Sequence, residues 1–137
     1  MQTSQALSLF LELAAIPSPP GSERSVADRV TAELRELGLD VHEDATGPET
    51  GSEIGNLYAA LPATNGGGVP LFFCAHLDTV PPQGPIEPVV EDGVVRNAAG
   101  TILGADNKAA VAAMVEAVRR VVQEGLPHAG IELLLTA

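Results

Sequence analysis

Val69-Pro70-Leu71-Phe72-Phe73-Cys74-Ala75-His76-Leu77-Asp78 is the stretch on which the fold turns. Residues 69–75 form a nearly continuous apolar run, preceded by Asn65-Gly66-Gly67-Gly68 and closed by the polar His76 and Asp78. A short apolar run between turn residues fits a strand buried on both faces, as in a parallel sheet covered by helices. About thirty residues further on, Gly104-Ala105-Asp106-Asn107-Lys108 opens the most strongly periodic helix of the chain.

That helix spans about Asp106 to Glu124. Val111, Met114, Val115, Val118, Val121 and Val122 fall on one face, with Glu116, Arg119, Arg120 and Gln123 on the other. Gly125 and Pro127 stop it, and Ile131 to Leu135 reads as a further buried strand. Upstream, Ala6, Leu9, Phe10, Leu13 and Ala14 predict a helix over about Thr3–Ile16, ended by Pro17-Ser18-Pro19-Pro20-Gly21. A second helix begins near Ser22, carries Val26, Val30, Leu34 and Leu37 as its stripe, and stops at Gly38. Leu39–Glu43 and Asn56–Leu61 read as strands, with a polar connection over Asp44–Gly55 between them. Val89 to Val95 reads as a hairpin around Asp92-Gly93. Strands alternating with helices predict an α/β fold.

The 137 residues suffice for one domain with a sizeable core. With 18 acidic and 7 basic side chains the formal charge is −11, and only Arg119-Arg120 are adjacent cations, which argues against nucleic acid. The acidity serves solubility, or places carboxylates for a cation. Cys74 stands alone and, within its apolar run, reads as an inert core residue. Neither a basic leader nor a membrane-length apolar run is visible, so a cytoplasmic protein without a membrane partner is the default expectation.

His76 and Asp78 are two apart on extended chain, so imidazole and carboxylate share one side. They stand at the carboxyl end of a strand, where α/β sheets bind ligands. An imidazole there can ligate a metal, and a neighbouring carboxylate can hold the ring. An H-x-D triplet alone is a weak signal, and side chains satisfied by loop backbone are the commoner reason for one. Asp106 has two readings: a helix N-cap, or a carboxylate bridging two divalent ions. His42 and His128 read as solvated. Gly66-Gly67-Gly68 precedes a strand and so is no phosphate cradle, and Lys108 has no nucleotide-loop context. No G-x-S-x-G elbow exists.

Phe73–Pro81 and Thr101–Lys108 resemble the M20 family of metallopeptidases, within it the peptidase T-like (tripeptide aminopeptidase-like) branch. Gly55-Asn56-Leu57-Tyr58, Val90-Glu91-Asp92-Gly93 and Pro127–Glu132 are similar to the same branch, so that the resemblance covers nearly the whole chain. It implies a partial three-layer α/β/α zinc-peptidase-like catalytic domain with a mostly parallel, mixed sheet. His76 would be a metal ligand, Asp78 the acid that orients it, and Asp106 the carboxylate bridging two zinc ions, with cobalt or manganese as alternatives. A cis peptide after Asp106 is implied as well. Asn107 stands where the family more often has Asp, and Ala109-Ala110 replaces a frequent Ala-Gly.

The implied activity is hydrolysis of peptide bonds, releasing the N-terminal residue of short peptides such as tripeptides. The family's general-base glutamate belongs to a Glu-Glu pair after a strand ending in Thr. Ile131–Thr136 resembles that strand, and the chain stops before the pair. Residues 1–137 are therefore expected to be the N-terminal portion of an M20 catalytic domain, inactive alone. The remaining ligands and an inserted dimerisation domain would lie in a longer, homodimeric parent. A sheet ending here leaves an apolar edge and predicts self-association or poor solubility. The alternatives are another M20 amidohydrolase, acting on N-acyl amino acids or as a carboxypeptidase or dipeptidase, and a non-catalytic metal-binding scaffold.

Overall fold

Ser4 opens the first helix: its hydroxyl accepts from the Leu7 amide at 3.2 Å, satisfying a donor the helix cannot pair internally. The computed structural model describes residues 4–64 and 67–137. Helix α1 (Gln5–Ala15) ends where Ile16 turns extended ahead of Pro17. Helix α2 (Arg24–Glu36) buries Val26, Val30 and Leu34 of the expected stripe together with Ala27, while Leu37 follows its end half-buried. The Asp44–Gly55 connection holds one short helix, α3 (Gly47–Thr50). Strands β1 (Asp40–Glu43), β2 (Leu57–Leu61) and β3 (Leu71–His76) follow the predicted order. The turn expected at Asn65–Gly68 lies partly outside the described residues, as does the start of the first predicted helix.

Strands β4 (Pro88–Glu91) and β5 (Val94–Asn97) form an antiparallel hairpin of their own. Asp92 and Gly93 both have positive φ, 52° and 77°, as a tight two-residue turn requires. Helix α4 (Ala105–Gln123) and β6 (Ile131–Thr136) complete the chain.

The main sheet has the order β1-β2-β6-β3. It is mixed: β3 and β6 are parallel, while β1–β2 and β2–β6 are antiparallel. A parallel pair needs a long crossover, and among these paired strands only the segment carrying α4 provides one. Leu57, Ala59, Ala75, Ile131, Leu133 and Leu135 point to the face covered by helices. There they join Leu13, Val30, Leu34, Val111, Val115 and Val118 in one core. The fold is α/β, with the helices α1, α2 and α4 sharing that core.

Three expectations need correction. The β3 strand is not buried on both faces: Leu71 and Phe72 are 52% and 57% exposed, because β3 is an edge strand here. Cys74 is likewise exposed rather than a core residue, since it alternates onto the face that no described helix covers. Tyr58, Phe72 and Glu132 are exposed on that same face, so among the described residues the helices cover one side of the sheet, in keeping with the partial layering expected. Finally, Arg119 does not lie on a solvated face of α4. It is 6% exposed and pairs with both Glu33 of α2 and Glu116. The binary pattern could not register this, because the partner comes from another helix.

Glu33 thus joins two arginines, bonding Arg119 and, at 2.6 Å, Arg29. Burial raises the Glu33 carboxyl, but the hydrogen bonds from Arg29 and Arg119 outweigh it and hold the group below its ordinary 4.5. A carboxylate depressed on folding adds stability that is present above the unfolded pKa and lost as the pH falls through the folded one. Glu33→Gln is expected to cost about 2 kcal/mol at pH 7, because two charged partners lose an acceptor. In urea melts against pH, the gap between variant and wild type should close below pH 4.5. A gap that stays constant to acid pH would contradict this account.

Candidate metal centre

His76 is the last residue of β3, opposite Thr136 of β6. The ladder extends one step further, with the Leu77 amide donating to the Thr136 carbonyl at 2.9 Å. From there the chain is held by an earlier loop. The Ser18 hydroxyl donates to the Leu77 carbonyl at 2.8 Å, and the Thr79 amide donates to the Ser18 carbonyl at 2.8 Å. Asp78 sits between these two bonds.

The other limb is the start of α4. Gly104 takes φ 74°, and a Cβ there would come within 3.3 Å of the Thr79 methyl, so the two limbs touch at a position suited to glycine. Asp106 has φ −90° and ψ 106°, outside the helical range, and the Asp106–Asn107 peptide is cis. No side chain caps α4. Of the two readings open for Asp106, the N-cap is therefore not what the geometry shows. Its carboxylate is 93% exposed and its Oδ1 stands 3.1 Å from His76 Nε2.

His76 Nδ1 lies 2.9 Å from the Asp78 carbonyl and 3.0 Å from Asp78 Oδ1. A carbonyl only accepts, so Nδ1 carries the proton and Nε2 is the nitrogen free to present a lone pair. Burial disfavours the charged ring, but the carbonyl and carboxylate of Asp78 and the carboxylate of Asp106 together raise its pKa above 6.5. In the charged ring, Nε2–H donates to Asp106. In the neutral ring, a nitrogen lone pair and a carboxylate oxygen face each other, an arrangement that suits a cation.

The separation fits such an ion. Tetrahedral zinc with bonds of about 2.0–2.1 Å holds neighbouring ligand atoms about 3.3 Å apart. The donor set is nonetheless partial: among the described residues no three His, Cys, Asp or Glu side chains gather into a metal cluster, and zinc sites use at least three protein ligands. His76, Asp78 and Asp106 line a cavity of about 260 Å³ together with Thr79, Val80 and Ile102. His42 is exposed on β1, and His128 serves a loop, its carbonyl accepting from Thr64 and its Nδ1 from Gly130. Neither lines this cavity.

Four residues that support the site carry little sequence signal. Ser18 lies in a Pro-rich segment that reads only as a helix stop. Lys108 is wholly buried, its Nζ donating to the Ile16 carbonyl. Its spacing of three and seven residues from Val111 and Val115 was the available clue. Asn97 organises the loop leading to α4. Its Oδ1 accepts from the Glu87 and Ala99 amides, and its Nδ2 donates to the Pro85 and Ile102 carbonyls. Thr79 is 2% exposed, and its hydroxyl has no hydrogen-bond partner among the described residues.

Residues 72–137 match peptidase family M20/M25/M40. Uncharacterized protein YqjE of Bacillus subtilis (strain 168) is 40% identical over 127 residues, covering 93% of this chain and 34% of its own length. A succinyl-diaminopimelate desuccinylase of Gluconacetobacter diazotrophicus is 33% identical over 141 residues, covering 98% and 34%. The crystal structure of aminopeptidase PepT from Bacillus cereus superposes with a TM-score of 0.91 at 38% identity, over 97% of this chain and 36% of that one. The chain spans about a third of the length of these relatives. Family match, overall likeness and mixed α/β sheet agree: the chain belongs to the M20/M25/M40 peptidase family.

Proposed function

We propose that this chain carries part of the metal centre of a peptidase that removes the N-terminal residue from short peptides. The observation supporting this most directly is the convergence of His76 Nε2 and Asp106 Oδ1 at 3.1 Å, with Nδ1 tied to Asp78. His76 and Asp106 are the ligands in this reading, and Asp78 orients the ring and fixes its tautomer. Asp106, exposed and with Oδ1 turned to His76, would have its second oxygen available for another ion. Zinc is the cofactor proposed, with cobalt or manganese as substitutes.

When bound, paired divalent cations supply Lewis acidity to a scissile carbonyl and acidify water near neutral pH. His76 and Asp106 contribute two donor atoms to that task, fewer than two ions require. The remaining ligands and the general base, a glutamate in the family this chain resembles, would come from residues outside these 137. Residues 1–137 are accordingly read as the N-terminal portion of the catalytic domain. Peptide is favoured as substrate by the peptidase T-like words of the sequence and by the likeness to aminopeptidase PepT, tripeptides being the first to try. A second reading, hydrolysis of an N-acyl amino acid, is favoured by the likeness to the desuccinylase. The metal machinery is the same for both.

Two outcomes are expected. In equilibrium dialysis against Co²⁺ or Zn²⁺, His76→Ala and Asp106→Ala should each weaken binding by at least about tenfold, since each removes a donor atom. Equal metal content in wild type and both variants would mean that these residues do not hold the ion within this chain. The purified 137-residue chain, supplied with either ion, should release no amino acid from tripeptides, and robust turnover would show that the base lies within it.

A further inference from the structure

We propose that the Ile16–Ser18 turn is a brace that sets the distance between His76 and Asp106, with Ser18 and Lys108 as its positioning residues. The proposal rests on the metal-centre reading above and assigns a role to a segment that otherwise only ends α1.

The two limbs of the site come from distant parts of the chain, residues 76–79 after β3 and 104–108 at the start of α4. Among the described residues no backbone hydrogen bond joins one limb to the other. Each is instead bonded to the Ile16–Ser18 turn, one limb to Ser18 and the other to Ile16. The Ser18 hydroxyl donates to the Leu77 carbonyl and its own carbonyl accepts from Thr79, so Ser18 grips the backbone on both sides of Asp78. Two residues earlier, the Ile16 carbonyl accepts from Lys108 Nζ, two residues beyond Asp106.

Burial makes these bonds hard to exchange. Ser18 and Lys108 are both 0% exposed, and an unpaired hydroxyl or ammonium there would face no water. Pro17, Pro19 and Pro20 surround Ser18, and a locked φ at each leaves the turn little freedom to follow a limb that moves. A lysine that reaches back to a carbonyl in the first loop of the chain, while its helix start holds Asp106, transmits the position of that loop to the carboxylate. A metal ligand pair tolerates little error in spacing, so an error in the brace should read out as metal affinity.

The test uses the 137-residue chain with Ser18→Ala, Lys108→Met and, as a control away from the site, Ser52→Ala. The control removes a hydroxyl that donates to Glu23 at 2.7 Å. Co²⁺ affinity is measured by visible absorption, the His76 ring resonances by NMR of the metal-free protein, and stability by melting. Ser18→Ala and Lys108→Met should each weaken Co²⁺ binding by about tenfold or more and shift the His76 resonances. Ser52→Ala should lower the melting temperature and leave both unchanged. Brace variants that melt lower yet keep wild-type affinity and His76 resonances would overturn the proposal, as would equal changes in Ser52→Ala. Should Lys108→Met not fold, Ser18→Ala decides. Should the wild type bind no Co²⁺, the reading of His76 and Asp106 as holding an ion within these 137 residues fails, and the brace stands or falls on the His76 resonances alone.

Discussion

The parallel pairing of β3 with β6 is the constraint on which the site depends. A strand that pairs in parallel with a later one must be followed by a return crossover, and here α4 makes it. The carboxyl end of β3 and the amino end of α4 therefore stand at the same edge of the sheet. His76 is the last residue of one and Asp106 the second of the other. They stand thirty positions apart in the chain with a separate hairpin between them, yet the topology brings their side chains to 3.1 Å.

What the topology delivers roughly, hydrogen bonds refine. The Asp78 carbonyl and carboxylate commit Nδ1 as the protonated nitrogen, which leaves Nε2 with one role at a time: a donor to Asp106 when charged, a lone pair when neutral. The backbone around Asp78 is tied to Ser18, and the start of α4 is tied to Ile16 through Lys108. Polar groups buried in this way favour a single arrangement, because any other leaves a donor or acceptor unpaired out of reach of water. The conspicuous charge pairs of the molecule lie elsewhere. Arg29, Glu33 and Arg119 join α2 to α4 on the helical side, away from the cavity that His76 lines.

Element order was legible because it rests on local properties. The spacing of Val26, Val30 and Leu34, the Asp92-Gly93 pair and the Gly125 stop each report a short-range preference, and the helices, strands and hairpin stand within a few residues of where those preferences put them. Burial was less legible. An apolar run such as Val69–Ala75 records what a strand can tolerate on its two faces, and not which faces are covered. Hence Cys74 and Phe72 are exposed, and Arg119, assigned by helical period to water, is enclosed by a glutamate from another helix. Lys108 shows the reverse case, a charged residue at core spacing that is wholly buried because one carbonyl meets its ammonium.

The sequence by itself determined the α/β class, the family resemblance and the residue types available for chemistry, because these follow from period, composition and contiguous words. It left Asp106 balanced between a helix cap and a ligand, since both uses want a carboxylate at the same place. Only the tertiary structure decided that the carboxylate turns to His76 instead of the helix amides, that Asp78 holds the ring by backbone as well as side chain, and that Ser18 and Lys108 secure the two limbs. Each of those is a contact between residues far apart in the chain, and a contact of that kind exists only once the sheet and its crossover have brought the partners together.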